Sequence, residues 1–199
     1  MISAEAFLAS RSADVADRDA SVAERSAHLG GVSPSEGAPC PGAADAEGEL
    51  EACREAALRL LDAAPRPSGA LRERLAGKGY AEDTVEDVIG RLTRVGLIDD
   101  HAYAASAVRY CLGRMMGRRG AVTELARKGV DRATAEEAVA EADGEGLFTQ
   151  AAWELGRRTA RRTEGMDLRV RQRRFWAAGG RKGHDPQTLR TVAAEVFKD

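Results

Sequence analysis

Leu125-Ala126-Arg127-Lys128-Gly129-Val130-Asp131, followed by Thr134, is the stretch that decides the fold. A helix running to Lys128 leaves its last carbonyls unpaired, and a glycine just past the end takes the left-handed conformation that returns the following amides to them. In that motif the residue after the glycine packs on the residue four before it; here these are Val130 and Leu125, both apolar. Asp131 is placed to accept from the free amides of a new helix, whose Ala135, Ala138, Val139 and Ala142 recur at helical spacing.

The same arrangement stands upstream at Leu75-Ala76-Gly77-Lys78-Gly79-Tyr80, with Thr84 and then Val85, Val88, Ile89 and Leu92. It stands again downstream at Lys182-Gly183-His184-Asp185-Pro186, with Thr188 and then Leu189, Val192, Ala193 and Val196. Measured from each threonine, the apolar offsets are the same in all three copies. The glycines are 50 and 54 residues apart, a spacing that marks a stacked helical array. The chain therefore reads as all-α, with helical repeats over residues 49–96, 97–144 and 145–199 preceded by a disordered tail over 1–48.

Within the first repeat an opening helix carries Leu50, Cys53, Ala57, Leu58 and Leu61 and stops before Pro65-Arg66-Pro67, since the residue ahead of a proline is pushed out of helical geometry. Ser68 is the expected cap of a second helix through Leu71 and Leu75, and a third runs from about Glu82 to Val95. Its cap position holds Ala81 where the other copies have aspartate, a weakening of roughly 1 kcal/mol. In the middle repeat Asp99 is placed to cap a helix that buries Tyr103, Ala107, Val108 and Cys111 and presents Arg109 and Arg114. In the third, Gly179-Gly180 sits where a helix should continue, so the four extra residues of that period are expected to end the helix early and loosen its junction.

The net charge of −2 conceals an asymmetry: residues 1–48 carry three arginines against eight carboxylates, and 49–199 carry 27 basic against 24 acidic residues. The tail is Ala, Ser, Asp, Glu, Gly and Pro-rich, with too little apolar surface to offset chain entropy. Between Thr149 and Lys182 stand ten basic residues against three acidic. Arg157 with Arg161, and Arg158 with Arg162, lie one helical turn apart; Arg169, Arg171, Arg173, Arg174, Arg181 and Lys182 follow, interleaved with Phe175 and Trp176. This density is the electrostatic footprint of phosphate binding, which is indifferent to sequence and weakens with salt, and it points to nucleic acid or a nucleoprotein surface, with a merely solvated face as the alternative reading. Arg109, Arg114, Arg118, Arg119 and Lys128 of the middle repeat join the candidate surface, with solvated surface charge as the alternative reading for Arg109 and the Arg118-Arg119 pair. Phe148, Trp153 and Phe175 read as core, while Trp176 is open between core and stacking platform.

No arrangement for catalysis emerges. Gly179-Gly180-Arg181-Lys182-Gly183 lacks the spacing and the Lys-Ser/Thr step of a phosphate-binding loop. His28, His101 and His184 have no ligand spacing, and Cys40, Cys53 and Cys111 form neither a CxxC pair nor an even set. The expectation is a non-enzymatic protein without cofactor or metal. The absence of a secretory leader or a bilayer-length apolar run leads to the expectation of a cytoplasmic protein without membrane contact.

Several of these stretches together carry a resemblance. Ala57-Leu58-Arg59-Leu60-Leu61, Leu71-Arg72-Glu73-Arg74-Leu75-Ala76-Gly77-Lys78-Gly79-Tyr80, Gly96-Leu97-Ile98-Asp99-Asp100 with Tyr103-Ala104, and Glu124-Leu125-Ala126-Arg127-Lys128-Gly129-Val130-Asp131 resemble the RecX family of bacterial recombination regulators in order and spacing, over about Ala52 to Phe197. The resemblance implies three tandem three-helix modules in an elongated, curved array. It implies a protein that binds the RecA recombinase, lies in the groove of its filament, and suppresses ATP hydrolysis, coprotease action and strand exchange. The basic side chains of the middle and third repeats are expected to face that groove and its single- or double-stranded DNA without sequence preference, and the protein is expected to be a monomer. The alternative is a helix-turn-helix-like DNA-binding protein acting independently of RecA; it predicts a preferred site, where a filament binder predicts none, and a third reading, a pure protein-interaction scaffold, predicts no nucleic-acid binding at all.

Overall fold

The computed structural model describes residues 42–198, all of whose regular structure is helical. The expectations for residues 1–41 lie outside this range. Helix α1 spans Gly42–Ala63, reaching back into the segment expected to be tail, and is followed by α2 (Ser68–Ala76) and α3 (Glu82–Arg94). The second triplet is α4 (Asp100–Gly113), α5 (Arg118–Arg127) and α6 (Arg132–Gly144). The third is α7 (Leu147–Arg162), α8 (Leu168–Arg181) and α9 (Pro186–Val196).

Each triplet closes on a core of its own. Cys53, Ala57, Leu71, Leu75, Val85, Val88, Ile89 and Leu92 form the first; Ala107, Cys111, Leu125, Val130, Ala135 and Val139 the second; Leu155, Phe175, Leu189, Val192 and Phe197 the third. The cores overlap the expected repeat boundaries. Ile98 packs into the first core and Phe148 into the second, although both stand at the head of the following repeat. Each thereby anchors the next triplet to the one before it.

The junction that decides the fold is built as its residues dictate. Gly129 has φ +88°, Val130 is buried, and its amide donates to the Leu125 carbonyl at 3.1 Å. Asp131 caps α6 by accepting from the Thr134 amide at 3.0 Å, Asp185 caps α9 from Thr188 at 2.9 Å, and Asp99 caps α4 from Ala102 at 2.8 Å. Ala81 offers α3 no side-chain cap; its amide instead donates to Glu49 Oε1 at 2.9 Å.

Two expectations are corrected. The helix carrying Gly179-Gly180 does not end there: α8 runs to Arg181, and the His184 amide reaches the Gly179 carbonyl at 3.1 Å, the same closure as at Val130. The physical reason is packing. A methyl at Gly179 would lie 2.6 Å from the Leu189 side chain, so the absent side chain is what lets α9 approach. The four extra residues of this period lengthen the second helix, 14 residues in α8 against 10 in α5. Ser68, likewise, is not a cap. It lies inside the first turn of α2, and both its amide (2.8 Å) and its hydroxyl (2.5 Å) donate to the carboxylate of Asp100 in the second triplet.

Neighbouring triplets meet through a joint that is used twice. The start of α2 seats the turn at Gly129: methyls on Gly69 and Gly129 would overlap the Gly129 carbonyl and the Ala70 backbone respectively. The start of α5 seats the turn at Gly183 in the same way, with Gly117 and Gly120 against Lys182, Gly183 and His184. Here backbone hydrogen bonds close the contact, Gly117 N to Lys182 O at 2.8 Å and Arg119 N to Gly183 O at 3.2 Å.

Candidate nucleic-acid interface

Three of the candidate cations stand where helices end. Arg114, Lys128 and Lys182 are the C-terminal cap residues of α4, α5 and α8, positions at which a positive charge is favoured by the helix dipole. The joint between the second and third triplets brings Lys182 to Arg114, while Lys128 and Arg114 share the Tyr110 ring within the second triplet. Lys182 donates through Nζ to the Arg114 carbonyl, and Arg114 Nη1 donates to the Tyr110 hydroxyl at 2.8 Å. The Arg114 guanidinium lies 5.6 Å and the Lys128 ammonium 5.9 Å from the centre of the Tyr110 ring, within cation–π range. Arg158, exposed on α7, adds its charge to the surroundings of Lys182.

The electrostatics of this cluster are uneven. Burial pushes the Lys182 ammonium below the usual lysine range, and the like charges of Arg114 and Arg158 push it the same way. Lys128 has a compensating carboxylate in Glu124, 3.9 Å away, whose acidity is strengthened first by its hydrogen bond from Arg127 and then by nearby cations. At the Lys182 end, the joint holds the ammonium against the Arg114 backbone, and the charges of Arg114 and Arg158 act on it from nearby. An anion placed across them would relieve their mutual repulsion.

The remaining candidates separate by environment. Arg157 and Arg161 both bind Glu154, at 3.2 and 3.3 Å, and are partly neutralised by it. Arg118 lies 3.7 Å from Asp143, and with Arg119 and Arg132 it lines a cleft whose other walls carry Glu136, Asp143 and Asp185, so positive and negative groups balance there. Arg171 turns inward: its guanidinium sits 5.6 Å from the Phe197 ring centre and its Nε is buried without a hydrogen-bond partner. Arg109, Arg162, Arg169, Arg173, Arg174 and Arg181 have exposed side chains. Arg109 stands on α4 in the second triplet, and the other five belong to the ends and outer face of the third.

Sequence reasoning missed two members of this surface. Tyr110 stands one helical turn before Arg114, a spacing that could have suggested the pair. His184 occupies the position after the turn glycine, held by Val130 and Tyr80 in the other copies, and this polar residue at an apolar position was the available signal. It is 5% exposed, and its Nε2 lies 3.0 Å from the Met115 carbonyl, so the third triplet's turn holds both Arg114 and Met115 by their carbonyls. Met115 itself has φ +53°. Among the described residues, no group of His, Cys, Asp and Glu is arranged to hold a metal ion, and no helix is long and apolar enough to cross a membrane.

Comparison with known proteins gives a consistent result. Family models described as "RecX, first three-helix domain" and "RecX, second three-helix domain" match residues 53–92 and 99–139. The chain is 35% identical over 151 residues to a protein named Regulatory protein RecX from Streptomyces coelicolor, covering 75% of this chain and 80% of that one. It is 40% identical over 152 residues to one of the same name from Mycobacterium ulcerans, covering 73% and 83%. The crystal structure of RecX from Lactobacillus salivarius superposes with a TM-score of 0.67 at 24% identity, covering 75% of this chain and 97% of that chain, which shows a shared fold.

Proposed function

The chain belongs to the RecX family of regulatory proteins, and from that membership we propose that it regulates the RecA recombinase by binding its nucleoprotein filament and suppressing ATP hydrolysis, coprotease action and strand exchange. The protein acts as a cytoplasmic monomer without cofactor and catalyses nothing itself. The observation that supports this reading best is the second joint, where Lys182 is bound to the Arg114 carbonyl, with the exposed Arg114 and Arg158 side chains adding positive charge near it. Such a cluster gains stability from a polyanion, and the phosphates of a DNA-filled filament supply one. A rigid array that spans successive filament subunits favours one filament state only through its greater affinity for that state. The contact is salt-sensitive and blind to base sequence.

The test is the single-stranded-DNA-dependent ATPase rate of the cognate RecA, titrated with this protein well below equal amounts. Strong inhibition at such ratios supports action on the filament as an assembly; no effect at equal amounts sinks inhibition as the activity. Arg158→Glu, which leaves the joint's hydrogen bonds intact, is expected to weaken inhibition and flatten its salt dependence. Selection of a preferred duplex site in the absence of recombinase would favour the helix-turn-helix-like alternative instead.

A further inference from the structure

The third triplet departs from the others on the surface where a fourth triplet would dock. Nine residues before each turn glycine stand Ala70, Gly120 and Arg174. The first two are small and seat the turns at Gly129 and Gly183. Arg174 is exposed, Arg173 is exposed beside it, and α8 begins a full turn earlier than α5 does relative to its glycine. At Arg174 no small residue is present to seat a turn of the kind found at Gly129 and Gly183.

On the neighbouring flank of α8, about 60° beyond Arg173, stands Trp176, one of the few large apolar residues exposed in the described chain, at 37%. Helical side chains lean toward the helix N-terminus, which sets the indole beside Arg173 one turn before it and on the flank of Arg169 two turns before it. One turn after it comes Gly180, where an added methyl would meet nothing within 4 Å. Arginine positions thus precede Trp176 along its stripe of the helix, and open space follows it at Gly180.

We propose that this face of α8 binds single-stranded nucleic acid, with one base stacked on Trp176 in the space above Gly180 and the flanking phosphates held by Arg169 and Arg173. Stacking on an aromatic ring tolerates any base, because every base has a π face, and the arginines track the backbone. Duplex bases are already stacked on each other and cannot reach an indole on an exposed helix face, so the site distinguishes single strands from duplex. The inference adds a strand-selective contact to the regulatory reading above and rests on its premise that the protein meets nucleic acid. Direct binding without recombinase keeps the two separable.

The experiment is fluorescence anisotropy of a labelled oligothymidylate titrated with the full chain and with its Trp176→Ala, Trp176→Phe and Arg173→Glu variants, at matched salt. Trp176→Ala is expected to weaken single-strand binding about tenfold or more, Trp176→Phe to restore most of it, and a blunt duplex of equal length to bind alike to wild type and Trp176→Ala. In a Trp153→Phe background, where Trp176 is the remaining tryptophan, its emission is expected to be quenched by the oligothymidylate and not by the duplex. Unchanged affinity of Trp176→Ala alongside a loss in Arg173→Glu would reduce the site to charge alone and overturn the stacking proposal, as would equal quenching by duplex. Quenching in a protein that fails to inhibit the recombinase would uphold the site and sink the regulatory reading.

Discussion

Gly120 and Gly183 meet backbone to backbone: a methyl group on either would overlap main-chain atoms at the other's turn. Gly120 lies inside the first turn of α5 and Gly183 just past the end of α8, so the contact joins the start of one second helix to the close of the next. Its counterpart joins Ala70 to Gly129. The array is held together by the absence of side chains at a few positions.

Gly120→Ala should therefore destabilise the protein although alanine is the better helix former. In an open helix the exchange gains about 0.5–1 kcal/mol, but here the new methyl displaces the Lys182 carbonyl, a cost of about 1–3 kcal/mol by analogy with overpacked cores. Gly90→Ala is the control, since Gly90 is helical and exposed, with nothing within 4 Å of an added methyl. Thermal unfolding of the two variants is expected to move in opposite directions.

Removing the carboxylate of Asp100 should loosen the first joint. Asp100 accepts both the amide and the hydroxyl of Ser68, across 32 residues of sequence. Asp100→Ala is expected to cost about 1–2 kcal/mol, the scale of a lost cap, and to speed amide exchange at the start of α2. An exchange pattern unchanged at Ser68–Ala76 would contradict the assignment.

Mild acid should weaken the second joint through His184. Burial, with the nearby Lys182 charge, holds its pKa below the usual histidine value, against the opposing pull of the Met115 carbonyl. The neutral ring donates Nε2–H to that carbonyl. Because the folded state resists protonation, its stability is complete above the unfolded pKa of about 6.5 and declines as pH falls from there toward the folded value. The depressed carboxylates Asp131, Asp185 and Glu124 act in a separate window, below about pH 4.5. Chemical denaturation at pH 7.5 and 5.5 should show a loss in the wild type that His184→Gln lacks.

Cys111 should resist thiol reagents in the native protein. It is fully buried, and burial, helped by Glu124, pushes its thiol up to about 11. Since the thiolate is the reacting form, alkylation at Cys111 is expected only at the rate at which the second core opens, readable by mass spectrometry of the labelled peptide. Prompt labelling at neutral pH without denaturant would mean that α4 is not packed as described.

What the sequence determined by itself is the local half of the structure. Gly129 and Asp131 end one helix and begin another within a few residues, and the apolar offsets behind Thr84, Thr134 and Thr188 name core positions, because both effects act over a single turn or two. Asp99, Asp131 and Asp185 cap their helices for the same reason. The other half depends on partners far along the chain. Gly179 reads as a helix breaker until Leu189 is found in the space its side chain would fill, and Ser68 reads as a cap until Asp100 is found already bound to it. The convergence of Lys182 with Arg114, 68 residues away, and the seating of Gly183 on Gly120 are matters of which surfaces meet. Propensity and periodicity fix how each helix starts, stops and which face it buries, but they carry no distance between helices. Packing supplies that distance, and with it the cationic cluster.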